Sequence, residues 1–190
     1  MLCRHKIVGK FEREFHNWTS GNDDIDKFIQ QTQLYAKNFS EIIEWISFDK
    51  FTNIKYLSKG GFGIIFRAIW TDGYIDGFNN NGWTRKPRIN VCLKSLHNSK
   101  DINKDFLDEV KNQHNYGGIS SIKIYGITKV PQGNDYMIVM QYAKQGSLRQ
   151  LLDSRFHELN WNCKINILYY MAQGLYAIHD AKLVHKDFHS

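Results

Sequence analysis

The chain has 190 residues, 42% of them hydrophobic, a length typical of about one domain and enough to bury a sizeable core. Its three cysteines, Cys3, Cys92 and Cys163, form no Cys-x-x-Cys pair, which argues against a disulfide framework or a zinc knuckle and indicates a reducing compartment. The net charge of +6 is spread along the chain and the first residues contain no apolar run, so we expect a cytoplasmic or nuclear protein without a nucleic-acid partner or a membrane segment.

Two short helices are predicted before residue 48. Thr19, Ser20 and Asn22 precede the first helix, and its apolar positions recur at helical spacing over residues 25–36. The second helix is predicted over residues 40–46, because Ile42, Ile43 and Ile46 recur at three to four residues. Neither helix carries recognisable chemistry, so residues 1–47 are interpreted as a helical prefix that is packed on, or tethered to, the main domain.

Residues 57–65 read Leu-Ser-Lys-Gly-Gly-Phe-Gly-Ile-Ile, which predicts a glycine-rich turn between two strands. Gly60, Gly61 and Gly63 can adopt positive φ and bring backbone N–H groups close to an anion such as phosphate. The β-branched run that follows predicts a strand where a dinucleotide-binding fold needs a helix, and no Gly-Lys-Ser or Gly-Lys-Thr occurs. Taken alone, the stretch is equally compatible with an ordinary hairpin.

The next predicted elements complete a sheet with one helix. Residues 71–90 form a long connection with a flexible hairpin tip, followed by a strand over 89–94 that contains Lys94. A helix over 103–115 carries Glu109 beside its apolar stripe, and two strands follow at 122–125 and 136–140. The sequence therefore predicts five antiparallel strands and one packed helix.

Two helices are predicted in the rest of the chain. Ser147 can cap the first helix, whose leucines share one face. The second, over residues 162–180, has apolar residues on two sides and would need burial all round, so we expect the isolated chain to self-associate. His185 and His189 stand four residues apart, but they lie in a predicted loop without an acidic or thiol ligand at zinc spacing, so no metal site is predicted.

The order of these motifs, from the glycine loop through Lys94 and Glu109 to His185-Lys186-Asp187, resembles the eukaryotic protein kinases over residues 48–190. It is similar in particular to the tyrosine-kinase-like serine/threonine group, including fungal expansions that share an Asp-Ile-Asp-Lys-Phe-Ile prefix. The resemblance implies an α+β fold: an N-lobe with hinge over 48–143, built from a five-stranded antiparallel sheet plus a helix, and the first helices of a C-lobe over 144–190 that stops in the catalytic loop.

The resemblance also implies roles for individual residues. Lys94 would hold the α- and β-phosphates of ATP and Glu109 would pair with it, while Asp187 would accept the proton of the substrate hydroxyl. His185 would brace the catalytic loop, and Lys186 stands where the family usually has arginine. The ATP-binding residues implied by the family pattern are Leu57, Ser58, Gly60, Gly61, Phe62, Gly63, Ile65, Cys92, Lys94, Met140, Gln141 and Ala143.

Two departures from the family pattern limit what is expected of these 190 residues. Ser58 replaces the first glycine of the loop. The asparagine and Asp-Phe-Gly that hold Mg²⁺ in the family do not occur in the sequence, so we expect no metal ligands within the chain and a fragment that is inactive alone. The expected function is phosphate transfer from ATP to serine or threonine of proteins. The alternative is a non-catalytic, pseudokinase-like module that docks on a partner protein.

Overall fold

A computed structural model describes residues 4–60, 63–95, 104–116, 122–132 and 135–184. The chain divides into two compact units, one of Met1–Val110 with Ile124–Gln141 and one of Lys111–Lys123 with Tyr142–Ser190. The helices are Arg4–Glu14 (α1), Asp23–Tyr35 (α2), Lys104–Tyr116 (α3), Leu148–Arg155 (α4) and Trp161–Asp180 (α5). The strands are Glu44–Trp45 (β1), Phe51–Gly60 (β2), Gly63–Trp70 (β3), Tyr74–Asn79 (β4), Gly82–Lys86 (β5), Ile89–Ser95 (β6), Ile124–Lys129 (β7) and Tyr136–Gln141 (β8).

A six-stranded sheet in the order β1-β7-β8-β6-β3-β2 forms the centre of the first unit. Every neighbouring pair is antiparallel except β1 and β7, which run parallel with Glu44 opposite Gly126 and Trp45 opposite Ile127. The predicted α+β class is confirmed, with the five predicted strands present in this sheet. The sixth strand, β1, comes from the prefix.

The predicted helix over residues 40–46 is wrong. A single 3-10 turn, Phe39–Glu41, is followed by the extended strand β1. The three isoleucines that suggested a helix are all buried, but each belongs to a different apolar cluster. Their spacing therefore reflects three separate burial sites along an extended chain, since the residues of one helical face would share one cluster.

The connection over residues 71–90, predicted to carry a flexible tip, contains a two-stranded hairpin of β4 and β5 with a register shift between Ile75 and Gly77. Ile75 of this hairpin is buried in a small cluster with Phe11 of α1 and Ile42. The Arg85 guanidinium pairs with the Glu44 carboxylate of β1 and also donates to the Gly73 carbonyl. Apolar packing and a partly buried charge pair thus join the hairpin to the prefix.

The two faces of the main sheet bury different clusters. On one face Val91, Leu93, Met137 and Val139 lie in a cluster with Trp70. On the opposite face the alternate residues of β8 lie in a second cluster, which also receives the prefix helix α2 and the first part of α3. The members of this second cluster are Ile25, Phe28, Ile29, Ile43, Leu107, Val110, Ile124, Ile127, Tyr136, Ile138 and Met140.

Local capping explains where the helices of the second unit begin. The Ser147 hydroxyl accepts from the Gln150 N–H at 3.2 Å and the Gln150 side chain accepts from the Ser147 N–H at 2.9 Å, which completes a capping box for α4. The Asn160 side chain accepts from the Cys163 N–H at 2.9 Å and begins α5. None of the described helices is long and apolar enough to cross a bilayer.

Candidate functional site

The glycine turn lies at the end of the hairpin formed by β2 and β3. Gly60 pairs with Gly63 at the last position of the ladder, and Gly63 has φ of 134°, in the region that favours glycine. Gly61 and Phe62, at the tip itself, lie outside the described residues. Gly63 therefore has a backbone conformation that favours glycine, and phosphate binding by the turn stays a prediction.

Strand register places several predicted site residues on one face of the sheet. Residues that are paired across neighbouring strands have side chains on the same side. One row runs from Ser58 through Ile65 and Lys94 to Ile138. Because Ile138 belongs to the cluster that contains α2 and part of α3, the row lies on that face of the sheet.

A second row lies two residues further along the same strands. Arg67 is opposite Cys92, and Cys92 is opposite Met140. Met140 is 8% exposed and belongs to the same cluster as Ile138, and the half-buried Cys92 packs against this cluster. The face therefore combines the ammonium group of Lys94 with the apolar side chains of Ile65, Cys92 and Met140.

This combination fits a nucleotide. A lysine ammonium is a compact charge suited to phosphate oxygens, and apolar side chains beside it suit a planar base. Gly60, which ends β2, and Gly63, which begins β3, lie two residues from Ser58 and Ile65, so the backbone of these two glycines is close to the same row. The ammonium group, the apolar side chains and the backbone of the turn thus fit the phosphates and the base of ATP.

Three further residues predicted to bind the nucleotide lie outside these two rows. Leu57 is 43% exposed, at an irregular position in β2 between Tyr56 and Ser58. Gln141 ends β8 opposite Val91. Ala143 belongs to the second unit, where its carbonyl accepts from the Gly146 N–H at 3.1 Å.

The predicted catalytic groups are only partly described. The backbone of Glu109 lies in α3, but its side chain is outside the described residues, as are His185, Lys186 and Asp187. The expected approach of Glu109 to Lys94 therefore stays a prediction. Within the described part of the chain, no group of three histidine, cysteine or acidic side chains could hold a metal ion.

Sequence reasoning missed one polar pair on this face. The Arg67 guanidinium donates to the Asn90 side-chain oxygen at 2.9 and 3.1 Å, and Arg67 lies next to Cys92 in the sheet. A period of two from Ile65 along β3 places Arg67 on the same face as Lys94. This alternation is the signal in the sequence that could have placed Arg67 on the face of Lys94.

A separate cleft of about 710 Å³ lies in the first unit, between the prefix and the hairpin. The described residues of the predicted nucleotide site do not line it. Its lining includes Glu44, Arg85, Lys50 and Asp72, which form two ion pairs with one another. Since these charges already have partners, the glycine turn and the face around Lys94 remain the better candidate for ligand binding.

Comparison with known proteins defines the class. A family model described as "Protein tyrosine and serine/threonine kinase" matches residues 51–190. The chain therefore belongs to the protein kinase family, whose members generally use ATP and Mg²⁺ and act on protein substrates. The α+β fold of the first unit, with helices following, is the kinase-like architecture implied by the sequence motifs.

Three relatives illustrate the range of the similarity. The chain is 24% identical over 144 residues to calmodulin-binding receptor-like cytoplasmic kinase 3 of Arabidopsis thaliana, covering 74% of this chain and 25% of the relative. It is 27% identical over 167 residues to probable serine/threonine-protein kinase gdt4 of Dictyostelium discoideum, covering 86% and 9%. It is 30% identical over 183 residues to mixed lineage kinase domain-like protein of Mus musculus, covering 90% and 38%. The chain thus spans well under half the length of these relatives.

Proposed function

We propose that the chain binds ATP on the sheet face around Lys94, and that the whole protein transfers the γ-phosphate of ATP to serine or threonine hydroxyls of proteins. The observation that carries this proposal is the row formed by Ser58, Ile65 and Lys94 beside the glycine turn. It brings an ammonium group and a phosphate-compatible turn to one face of one sheet.

Each described residue would have a distinct role in holding the nucleotide. The Lys94 ammonium would bind the α- and β-phosphates, and the N–H groups of the glycine turn would cover them. Ile65, Cys92 and Met140 would contact adenine, while Glu109 would orient Lys94. Asp187 would accept the proton of the attacking hydroxyl, a role typically worth about a hundred- to ten-thousand-fold in rate.

The finer assignment, to the tyrosine-kinase-like serine/threonine group, is supported by the motif pattern from Lys94 to Asp187. The relative from Dictyostelium, named a probable serine/threonine kinase, is consistent with it. Phosphoamino-acid analysis of substrates labelled by the whole protein tests the assignment. Phosphotyrosine as the main product would contradict it.

Nucleotide binding is tested with trinitrophenyl-ATP and Mg²⁺, comparing the 190-residue chain with Lys94→Met. Loss of a charge-assisted contact to phosphate should weaken binding by about tenfold or more. Lys86→Met is the matched control, because Lys86 is an exposed lysine of the separate β4–β5 sheet and its loss should leave binding unchanged.

Three outcomes are informative. Weakening by Lys94→Met alone supports the proposal, whereas equal weakening by both variants would indicate a general charge effect. A wild-type chain that does not bind the nucleotide contradicts ATP binding by these residues. That result would favour the alternative, a non-catalytic module that docks on a partner protein.

A further inference from the structure

The prefix is built into the core of the first unit. Ile25 and Ile29 of α2 are 0% exposed and Phe28 is 6% exposed. They lie in one continuous apolar cluster with Leu107 and Val110 of α3. The same packing that buries α2 therefore also fixes the first part of α3.

The cluster reaches the nucleotide face through β8. Tyr136, Ile138 and Met140 alternate along this strand and all belong to the cluster. Ile138 is the cross-strand partner of Lys94, and Met140 is the partner of Cys92. A shift of α2 would thus act on the strand that lies beside the candidate lysine.

Polar contacts hold the prefix in register with the sheet. The Tyr136 hydroxyl donates to the Ser20 carbonyl at 2.9 Å in a buried position. The Gln33 side-chain amide, also buried, donates to the Ile43 carbonyl at 2.9 Å. Hydrogen bonds are directional, so these two bonds fix the position of α2 more closely than apolar packing alone would.

The sheet has a matching feature at the point where the prefix joins it. Gly126 of β7 lies opposite Glu44 of β1. A Cβ atom at this position would overlap the Glu44 carbonyl oxygen and crowd the end of the Ile46 side chain. Close approach of the prefix strand therefore requires glycine here, in a strand that lies on the far side of β8 from Lys94.

We propose that α2 is a positioning element for the nucleotide face, because it holds the first part of α3 and β8 in the arrangement that Lys94 needs to engage phosphate. The part of this inference that concerns nucleotide affinity rests on the proposed function. Ile29 is then a positioning residue that acts through the cluster, without touching the ligand.

The test compares two buried isoleucines that belong to different apolar clusters. Ile29→Ala should lower the affinity for trinitrophenyl-ATP by about fivefold or more, the lower range of coupling between sites. Ile75→Ala is the matched control, since Ile75 is 3% exposed in a cluster without nucleotide-face residues. It should leave affinity unchanged, although it also lowers the melting temperature. Ile29→Val should restore near-normal binding.

A second readout does not depend on nucleotide. Hydrogen exchange of backbone amides in residues 107–110 should accelerate in Ile29→Ala and in Gly126→Ala, but not in Ile75→Ala. All variants are measured well below their melting temperatures, so that global unfolding does not contribute.

The outcomes separate this inference from the proposed function. If the wild-type chain binds nucleotide and Ile29→Ala binds equally well, or both alanine variants lose affinity equally, positioning by α2 is overturned. If the wild-type chain binds no nucleotide, ATP binding fails, and the exchange comparison alone decides whether α2 holds α3. Unchanged exchange in Ile29→Ala would then overturn the inference as well.

Discussion

Glu44 and Arg85 form a partly buried charge pair in the first unit. The Glu44 side chain is 11% exposed and the Arg85 side chain is 31% exposed. Burial raises the pKa of the Glu44 carboxyl above its ordinary value of 4.5, and Arg85 opposes that rise without cancelling it. The folded protein therefore holds a proton on Glu44 more tightly than the unfolded chain does.

The sign of the resulting pH dependence follows from linkage. Because the folded-state pKa is raised, the stabilising contribution of Glu44 is present below pH 4.5 and is lost as pH rises through the raised pKa. Arg85→Met should raise that pKa further, since it removes the opposing charge. We expect this variant to lose about 3 kcal/mol at about pH 8 and clearly less at about pH 5.

Urea unfolding of the wild-type chain and of Arg85→Met at both pH values measures this effect. The double variant Glu44→Gln, Arg85→Met is the control, because it carries no ionisable group at either position and should show no such difference between the two pH values. An equal loss in Arg85→Met at both pH values would mean that Arg85 does not shift the pKa of Glu44 within this pH range, and would contradict the prediction.

Among the helices, α2 has the clearest starting signal. The Asn22 side-chain oxygen accepts from the Asp24 N–H at 3.0 Å and the Ile25 N–H at 3.1 Å, and acidic residues occupy the first turn. Asn22→Ala should lower the free energy of unfolding by about 1 kcal/mol, whereas Asn22→Ser retains an acceptor and should cost less. Thermal or urea unfolding provides the measurement, and equal costs for the two variants would argue against a capping role.

Strands with a local pattern could be predicted from the sequence. The β-branched run of β3 and the glycines between β2 and β3 indicated the hairpin, and the turn-forming residues before residue 89 indicated the strand of Lys94, because composition is a local property. Period-two alternation is enough to place Ile65 and Arg67 on one side of β3. The neighbours of each strand depend on distant parts of the chain, so spacing alone does not place β8 beside β6.

The prefix strand and the end of β7 could not be predicted for the same reason. β1 has only two residues, and its burial depends on β7, more than 80 residues later. β7 extends to Lys129, past the predicted end at residue 125, although Gly126 is a poor strand former. Gly126 is explained by the close approach of β1, which no local pattern reveals.

At the scale of the whole chain, α5 combines a regular helix with an unusual surface. Many of its apolar residues are exposed, including Trp161 at 78%, Leu168 at 65% and Tyr176 at 70%. Exposed apolar patches promote association in water. We expect the purified 190-residue chain to self-associate, and Leu168→Glu to shift it towards the monomer.

Light scattering at several protein concentrations measures this shift. Asn166→Glu is the matched control, because it adds the same charge at an exposed polar position of the same helix. If both variants reduce association equally, net charge and not the apolar surface is responsible. A monodisperse wild-type monomer would contradict the prediction.

The parallel pairing of β1 with β7 has a consequence for how the protein should be divided. The match to the kinase family begins at residue 51, yet the sheet begins at Glu44 and its core includes α2. A fragment cut at the family boundary would leave the outer backbone of β7 without its partner and uncover part of the apolar cluster. An unprotected edge strand is a template for aggregation. The family match thus covers residues 51–190, whereas we expect the smallest fragment that folds to start before α2.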